Sequence, residues 1–181
     1  VACPDVYGDP ALLYPLIYNP ERTVKDHLVG VIPHLCDGQN PMLMKWGACR
    51  DAKIIDIGAG LEQVADAVCR CRYIVSSSLH GLILADAYGI PNGWLILSDG
   101  VIGNGFKFRD YFASLGLEKN PLYVAKNTSV PDLIAHAERQ PQGGKINLEL
   151  LLRSCPFGRP DLVGRLIRRL PACGERPSVC A

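Results

Sequence analysis

The chain has 181 residues, of which 48% are hydrophobic and 20% are charged, and its formal net charge is +1. This length and apolar share suffice for one sizeable core. The near-zero charge argues against a nucleic-acid binder held by a general basic field. No apolar run approaches the ~20 residues that a membrane-spanning helix needs.

Apolar runs typical of strands alternate along the chain with segments of helical periodicity. Strands are predicted over 28–33, 53–57, 73–75, 94–97 and 122–125. Helices are predicted over 61–71, 79–88, 110–115 and 130–139, and the second of these is apolar enough to be buried on most sides. This alternation predicts an α/β fold, in which a parallel sheet carries helices on both faces.

The remaining residues divide into an opening, a linker and a tail. Residues 1–27 hold several turn formers and a regular pattern only over 11–18, and 141–145 reads as a linker. Short helices are predicted over 146–154 and 161–170, and 171–181 reads as disordered. We therefore place a main domain with an amino-terminal extension at 1–140, and a linker, short helices and a flexible tail at 141–181. The arginines within 161–170 suit either a solvated helix packed through its leucines or contact with an anionic membrane surface.

Residues 76–80, with the sequence Ser-Ser-Ser-Leu-His, join a predicted buried strand to a predicted helix. The free N–H groups and the dipole at a helix N-terminus favour an anion. His80 falls in the first turn of that helix, and an imidazole exchanges a proton near neutral pH. The segment therefore indicates an anion site with a proton donor beside it.

Polar residues also follow other predicted strands. In parallel sheets, ligands bind at the carboxyl ends of the strands. His34 follows the first strand and Ser98 follows the fourth, so we expect both on the same edge as His80. A purely structural role for each histidine stays open at this point.

Eight cysteines are present, but none forms a Cys-x-x-Cys pair. Cys69 and Cys71 are spaced too closely for the usual zinc knuckle and fall in a helical pattern. We interpret the cysteines as reduced, small hydrophobic residues, while a Cys173–Cys180 disulfide stays open. No dense cluster of metal ligands occurs, and no metal is expected.

Segment 74–91 resembles, over its whole length, the polysaccharide pyruvyltransferases of bacterial exopolysaccharide synthesis. Three further segments are similar to that family in the same order: 6–13 (Val-Tyr-Gly-Asp-Pro-Ala-Leu-Leu), 31–34 (Val-Ile-Pro-His) and 106–111 (Phe-Lys-Phe-Arg-Asp-Tyr). Together they span about residues 4–115. The resemblance implies the carboxyl-terminal half of a two-domain, GT-B-type transferase, built from Rossmann-like halves, without the amino-terminal half.

The resemblance implies transfer of pyruvate from phosphoenolpyruvate to two hydroxyls of a sugar, forming a ketal and releasing phosphate. The acceptor would be an exopolysaccharide or its lipid-linked precursor. No cofactor is implied beyond this donor substrate, and no nucleic-acid partner. The expected location is the cytoplasm, with the inner face of the membrane and a homo-oligomer as further expectations.

The resemblance also assigns residues. His80 is the expected acid catalyst. The expected donor-binding residues are Ser76, Ser77, Ser78, Leu79, Gly81, His34, Lys107 and Arg109. Asp9 either holds an acceptor hydroxyl or caps a turn before Pro10. Lys107 and Arg109 either bind the donor or are solvated surface charges. Some relatives carry an arginine where this chain has Ser78. This chain therefore lacks one phosphate-binding cation that those relatives have.

Two other functions remain open on the sequence. A nucleotide-sugar glycosyltransferase could use the same half-fold, and the chain could be a non-catalytic remnant of a transferase. A dinucleotide oxidoreductase is disfavoured because Gly58 and Gly60 are followed by Gln63, where the glycine-rich fingerprint needs its third glycine.

Overall fold

The computed structural model describes residues 6–20, 24–156 and 158–170. Its strands are β1 (His27–Ile32), β2 (Ala52–Ile54), β3 (Cys71–Ser76), β4 (Asn92–Ile96) and β5 (Leu122–Tyr123). All pair in parallel, in the spatial order β2-β1-β3-β4-β5. The predicted α/β fold is confirmed, and the arrangement is Rossmann-like.

This strand order fixes where the chain changes direction across the sheet. From β1 the chain first moves to one side to form β2, and then crosses back to form β3, β4 and β5 on the other side. The order 2-1-3-4-5 is one of the common doubly wound arrangements. Its switch point lies between the carboxyl ends of β1 and β3, where such sheets bind ligands.

Seven α-helices accompany the strands in the described part of the chain. They are α1 (Pro41–Gly47), α2 (Leu61–Cys69), α3 (Leu79–Ala87), α4 (Phe106–Ser114), α5 (Val130–Arg139), α6 (Leu148–Arg153) and α7 (Pro160–Ile167). Two 3-10 helices, Pro10–Leu16 and Leu35–Asp37, complete them. No helix among the described residues is long and apolar enough to cross a membrane.

The helices cover both faces of the sheet, as the alternation predicted. One hydrophobic cluster contains residues of α2, α3 and α4, together with Leu12 of the first 3-10 helix and Leu151 of α6. A smaller cluster contains residues of α1 and α5, with Val29, Val75 and Leu95 from the sheet. Six of the nine residues of α3 are buried, which confirms the prediction made from its apolar sequence.

A buried polar network joins α3 to α4 through the start of β4. The Tyr111 hydroxyl donates to Asp86 Oδ2 at 2.8 Å, and the Asn92 side-chain amide donates to Asp86 Oδ1 at 2.6 Å. Lys119 Nζ donates to Asn92 Oδ1 at 2.8 Å. Burial, followed by the nearby Asp86 carboxylate, raises the pKa of Tyr111. The network stabilises the contact between the two helices.

The observed elements depart from the predicted ones in several places. The helix predicted over 61–71 ends at Cys69, because the chain turns at Arg70, and Cys71 begins β3. The second strand stops at Ile54, since Asp56 Oδ1 accepts the Gly58 N–H at 2.8 Å and turns the backbone. Helix α1 was not predicted.

The segments after residue 140 lie against the main body. Leu151 packs in the larger cluster, and the Arg169 guanidinium donates to the Leu16 carbonyl at 3.0 Å. Helix α7 has no buried residue. The domain boundary near residue 140 stays a prediction, and the predicted disorder of 171–181 lies outside the described residues, as do Cys3, Cys173 and Cys180.

Candidate functional site at the switch point

The structure brings His34 and the serine run together at the carboxyl edge of the sheet. Ile32 of β1 pairs with Ser76 of β3, so the residues that follow these two strands are neighbours. The His34 N–H donates to Ser77 Oγ at 2.9 Å. The shared edge that the sequence predicted for these two segments is therefore present.

The three serines are buried and order the turn from β3 into α3. Ser76 Oγ lies 2.8 Å from the Ile32 carbonyl and 2.7 Å from the Ser78 carbonyl, and accepts the Ser78 N–H at 2.9 Å. A hydroxyl has one proton to donate and two lone pairs to accept with. Ser76 is thus committed to the backbone of this turn and fixes its shape.

Helix α3 begins at this turn without a side-chain cap. Ser78 occupies the N-cap position in extended conformation, and its side chain makes no capping hydrogen bond. The first N–H groups of a helix have no partner within the helix. His80 lies in this first turn with its side chain exposed. The N-terminus of α3 therefore presents backbone donors and an imidazole on one edge of the sheet.

Gly81 allows α3 to sit this close to the sheet. A Cβ at this position would lie 2.5 Å from Ser76 Oγ and 3.0 Å from Ile32 Cγ2. Any larger residue would push the helix start away from the turn that Ser76 organises. Packing thus explains the glycine at this position.

Asp37 lies beneath the edge and was not predicted as a site residue. It is 2% exposed. The Ser77 hydroxyl donates to Asp37 Oδ2 at 2.6 Å, and the Ser98 hydroxyl makes a short hydrogen bond to Asp37 Oδ1. One carboxylate thereby joins the loops that follow β1, β3 and β4. Nothing in the local sequence marks it, because its partners are 40 and 61 residues away.

His34 caps the short 3-10 helix that carries Asp37. Its Nδ1 accepts the Cys36 N–H at 3.3 Å and lies 3.0 Å from Cys36 Sγ. An accepting Nδ1 assigns the proton of a neutral imidazole to Nε2. His34 therefore has a structural role in the loop as well as its predicted place at the edge.

The other predicted residues make local contacts. Arg109 Nη2 donates to the Asn104 carbonyl at 2.7 Å, and Lys107 Nζ lies 5.4 Å from the centre of the Phe108 ring. Asp9 caps the 3-10 helix Pro10–Leu16, because its Oδ1 accepts the Ala11 N–H at 2.8 Å. Among the described residues, no hydrogen bond or ion pair joins Lys107 or Asp9 to the serine run.

A cavity of about 700 Å³ opens beside the switch point, between α4 and the β4–β5 edge. Its lining includes Ser77, Ser98 and Arg109, whereas His34, His80 and Lys107 are not part of it. The cavity was not predicted, since its walls depend on how α4 packs against Trp94. The Trp94 and Phe108 rings stack with centroids 4.8 Å apart.

The described cysteines and carboxylates form no metal site. No group of three or more His, Cys, Asp or Glu side chains among these residues could hold a metal ion. Burial raises the pKa of the Cys71 thiol to about 12, so this thiol stays protonated. Cys36, Cys49 and Cys155 carry free thiols.

Fold and edge together define a doubly wound α/β protein whose strand-end loops converge at the switch point. Residues 4–98 match the family model described as polysaccharide pyruvyl transferase, and the chain belongs to this family. The resemblance that the sequence motifs indicated is thus confirmed.

Two relatives extend this finding. The chain is 32% identical over 122 residues to the uncharacterized protein L143 of Acanthamoeba polyphaga mimivirus, covering 62% of this chain and 41% of that protein. It is 28% identical over 132 residues to the succinoglycan biosynthesis protein ExoV of Rhizobium meliloti (strain 1021), covering 71% of this chain and 40% of that protein. The chain thus spans about two fifths of the length of these curated relatives. No solved structure matches.

Proposed function

We propose that the chain carries the donor-binding part of a polysaccharide pyruvyl transferase that takes its pyruvyl group from phosphoenolpyruvate. The observation that carries this proposal is the N-terminus of α3 at the switch point of the sheet, which has no side-chain cap and carries the exposed His80. Family membership over residues 4–98 supports the reaction class. We assign this chain to the carboxyl-terminal half of the transferase.

The donor would bind as a dianion against backbone donors. The N–H groups and the dipole of a helix N-terminus favour phosphate or carboxylate. Ser76 and Ser77 already hold the turn in place, so ordering this site on binding costs little. We assign the phosphate or carboxylate of phosphoenolpyruvate to the first turn of α3.

His80 is our candidate for the acid. Protonation of the methylene carbon of phosphoenolpyruvate leaves an oxocarbenium-like centre, which one sugar hydroxyl attacks. A second hydroxyl of the same sugar then replaces phosphate, and the products are a pyruvate ketal and inorganic phosphate. A positioned acid accelerates such a proton transfer, and His80 is the exposed imidazole at the helix start.

Positive charge for the leaving phosphate would come from α4. Arg109 holds the loop before this helix through Asn104, and Lys107 is half-buried in its first turn. Charge-assisted hydrogen bonds from such groups stabilise phosphate strongly. We propose Arg109 for this role ahead of Lys107, because Arg109 lines the cavity that also contains Ser77.

Calorimetric titration tests the proposal directly. The chain is titrated with phosphoenolpyruvate, with a nucleotide sugar as the competing ligand. We expect saturable binding of phosphoenolpyruvate alone, weakened in His80→Ala. The matched control is His27→Ala, since His27 begins β1 at the opposite edge of the sheet. Binding of the nucleotide sugar alone would favour a glycosyltransferase, and binding of neither would overturn the donor assignment.

Turnover tests the acid role in a protein that also contains the remaining part of the transferase. His80→Ala should abolish formation of the ketal while the circular dichroism spectrum stays unchanged. Retained turnover in this variant would remove His80 from the acid role.

A further inference from the structure

We infer that the cavity beside the switch point binds a neutral pyranose ring, and that it is the acceptor-sugar subsite. This inference rests on the proposed function, because it names the second substrate of that reaction. The cavity measures about 700 Å³, within the roughly 300–1,000 Å³ of typical small-molecule sites. It lies on the α4 side of the sheet edge, and Asp9 is not among its lining residues.

The lining has the chemistry that a sugar requires. Trp94, Phe108 and Phe112 line the cavity and are almost fully buried, so they form its packed apolar floor. The Tyr123 ring, 71% exposed on the edge strand β5, supplies an accessible aromatic surface. Aromatic rings of this kind bury large apolar area and can hold a polar partner at the same time.

Polar side chains of the same cavity are available for hydroxyl groups. Asp99, Glu118 and Asn120 line it, and their side chains form no hydrogen bond or ion pair with any other described residue. Carboxylates and amides accept and donate hydrogen bonds in the combinations that vicinal hydroxyls need. Each of these three side chains can therefore replace a hydrogen bond to water with one to a sugar hydroxyl.

The charge balance favours a neutral ligand over the anionic donor. Lys119 on the lining already donates to Asn92 and lies 3.9 Å from Asp86. The two remaining acidic residues, Asp99 and Glu118, therefore outnumber Arg109, the other cation of the lining. A dianion gains most from an excess of cations and N–H donors, which the start of α3 offers and the far end of the cavity does not. We therefore place the anionic donor at the start of α3 and the neutral sugar in the cavity.

Ser77 connects the cavity to the donor side. Ser77 belongs to the cavity lining, and its Oγ accepts the His34 N–H at the switch point. A sugar held by the cavity would thus lie next to the residues that begin α3. Such proximity is required, because ketal formation joins two hydroxyls of one sugar to the carbon that comes from the donor.

Saturation-transfer NMR with methyl glycosides tests the inference. Methyl β-D-glucopyranoside, galactopyranoside and mannopyranoside are offered to the chain at millimolar concentrations. We expect at least one to receive saturation, and binding to weaken roughly tenfold in Tyr123→Ala, the size expected for one lost ring contact. Glu118→Gln should weaken binding in the same direction.

The controls separate the cavity from the general surface and from the donor site. Phe106→Ala removes a ring that is 68% exposed but does not line the cavity, and Glu62→Gln neutralises an exposed carboxylate of α2. Both should leave sugar binding unchanged. Sugar binding that persists in Tyr123→Ala and Glu118→Gln, or that is absent from the unaltered chain, overturns the inference.

Phosphoenolpyruvate titration of the same variants distinguishes the two proposals. Tyr123→Ala should keep the donor affinity of the unaltered chain. Sugar binding without phosphoenolpyruvate binding would support the cavity and overturn the donor assignment. Donor binding without sugar binding would do the reverse.

Discussion

Asp37 shows how a single buried carboxylate organises the candidate site. It accepts hydroxyl hydrogens from Ser77 and Ser98 while its own backbone N–H donates to the His34 carbonyl at 2.8 Å. A buried carboxylate is stable only when its oxygens are hydrogen-bonded. The two serine hydroxyls supply these bonds, and in return they are held in one orientation.

Asp37→Asn should destabilise the protein by about 1–3 kcal/mol, because one serine hydroxyl would then face an amide that cannot accept its hydrogen. The midpoint of urea unfolding measures this loss. Asp51→Asn is the control, since Asp51 is exposed and only its backbone carbonyl takes part in the strand contacts. Equal midpoints for the two variants would show that Asp37 contributes nothing through these bonds.

His136 gives the stability of the fold a pH dependence. It is 8% exposed, and its Nε2 lies 3.0 Å from the Trp94 carbonyl. Burial lowers the pKa of His136 from its ordinary value of 6.5, against the opposing effect of the Trp94 carbonyl, and the nearby Arg139 and Lys119 lower it further. The imidazole is thus held neutral in the folded state.

Below pH 6.5 the unfolded chain takes up a proton at His136 before the folded protein does. Stability should therefore fall as the pH drops through that value toward the lowered pKa, and be unaffected by this group above it. His136→Gln should lose less stability than the unaltered chain between about pH 7.5 and pH 5.5, as urea unfolding at both values would measure. A parallel loss in the two proteins would assign the effect to other groups.

The residues of the site were predictable to the extent that they follow strands directly. His34 and Ser77 were expected on one edge because parallel strands end on the same side, and they hydrogen-bond there. Asp37 was missed because it gains its role only from two distant hydroxyls. Asp9 carried two alternatives, and the structure shows its capping bond to Ala11.

At the scale of elements, α3 is the part of the chain whose burial the sequence predicted best. Its residues are apolar on every side, and six of nine are buried. Helix α1 was missed because seven residues give too short a window for a helical period. Asn40 caps it by accepting the Met42 N–H at 3.0 Å, and Trp46 anchors it by donating to the Thr128 carbonyl at 3.1 Å.

Gly81→Ala should destabilise the protein by about 1–3 kcal/mol, because the added methyl group must displace Ser76 or Ile32 in a packed region. Gly164→Ala is the matched control. Gly164 also lies within a helix, but a Cβ there meets nothing within 4 Å. This second change should stabilise α7 by about 0.5–1 kcal/mol. A lower midpoint of thermal unfolding for Gly81→Ala and a higher one for Gly164→Ala would confirm that α3 packs closely against the sheet.

At the scale of the whole molecule, the described residues form one parallel sheet covered by helices, and the alternation of strands and helices sufficed to predict this. The spatial order of the strands was not predictable, because pairing between β1 and β3 depends on contacts across about 40 residues rather than on local pattern. The helices after residue 140 were predicted, but their contacts with the first 3-10 helix were not.

Leu151→Ala should destabilise the whole protein by about 2–5 kcal/mol, since Leu151 is 8% exposed and packs in the larger cluster. Leu162→Ala, at a position 44% exposed on α7, is the control and should cost far less. Tryptophan fluorescence during urea unfolding reports the change, because Trp94 belongs to the same cluster. A normal midpoint for Leu151→Ala would mean that α6 unfolds independently of the sheet.

The three-way contact of Asp37, Ser77 and Ser98 also has a consequence for the order in which the protein is made. During synthesis Asp37 leaves the ribosome 40 residues before Ser77 and 61 residues before Ser98. Its carboxylate therefore stays hydrated until the fourth strand is complete, and only then can the edge close. Because contacts over such separations must close long loops before they form, a ligand held at this edge would stabilise the finished sheet rather than an early folding intermediate.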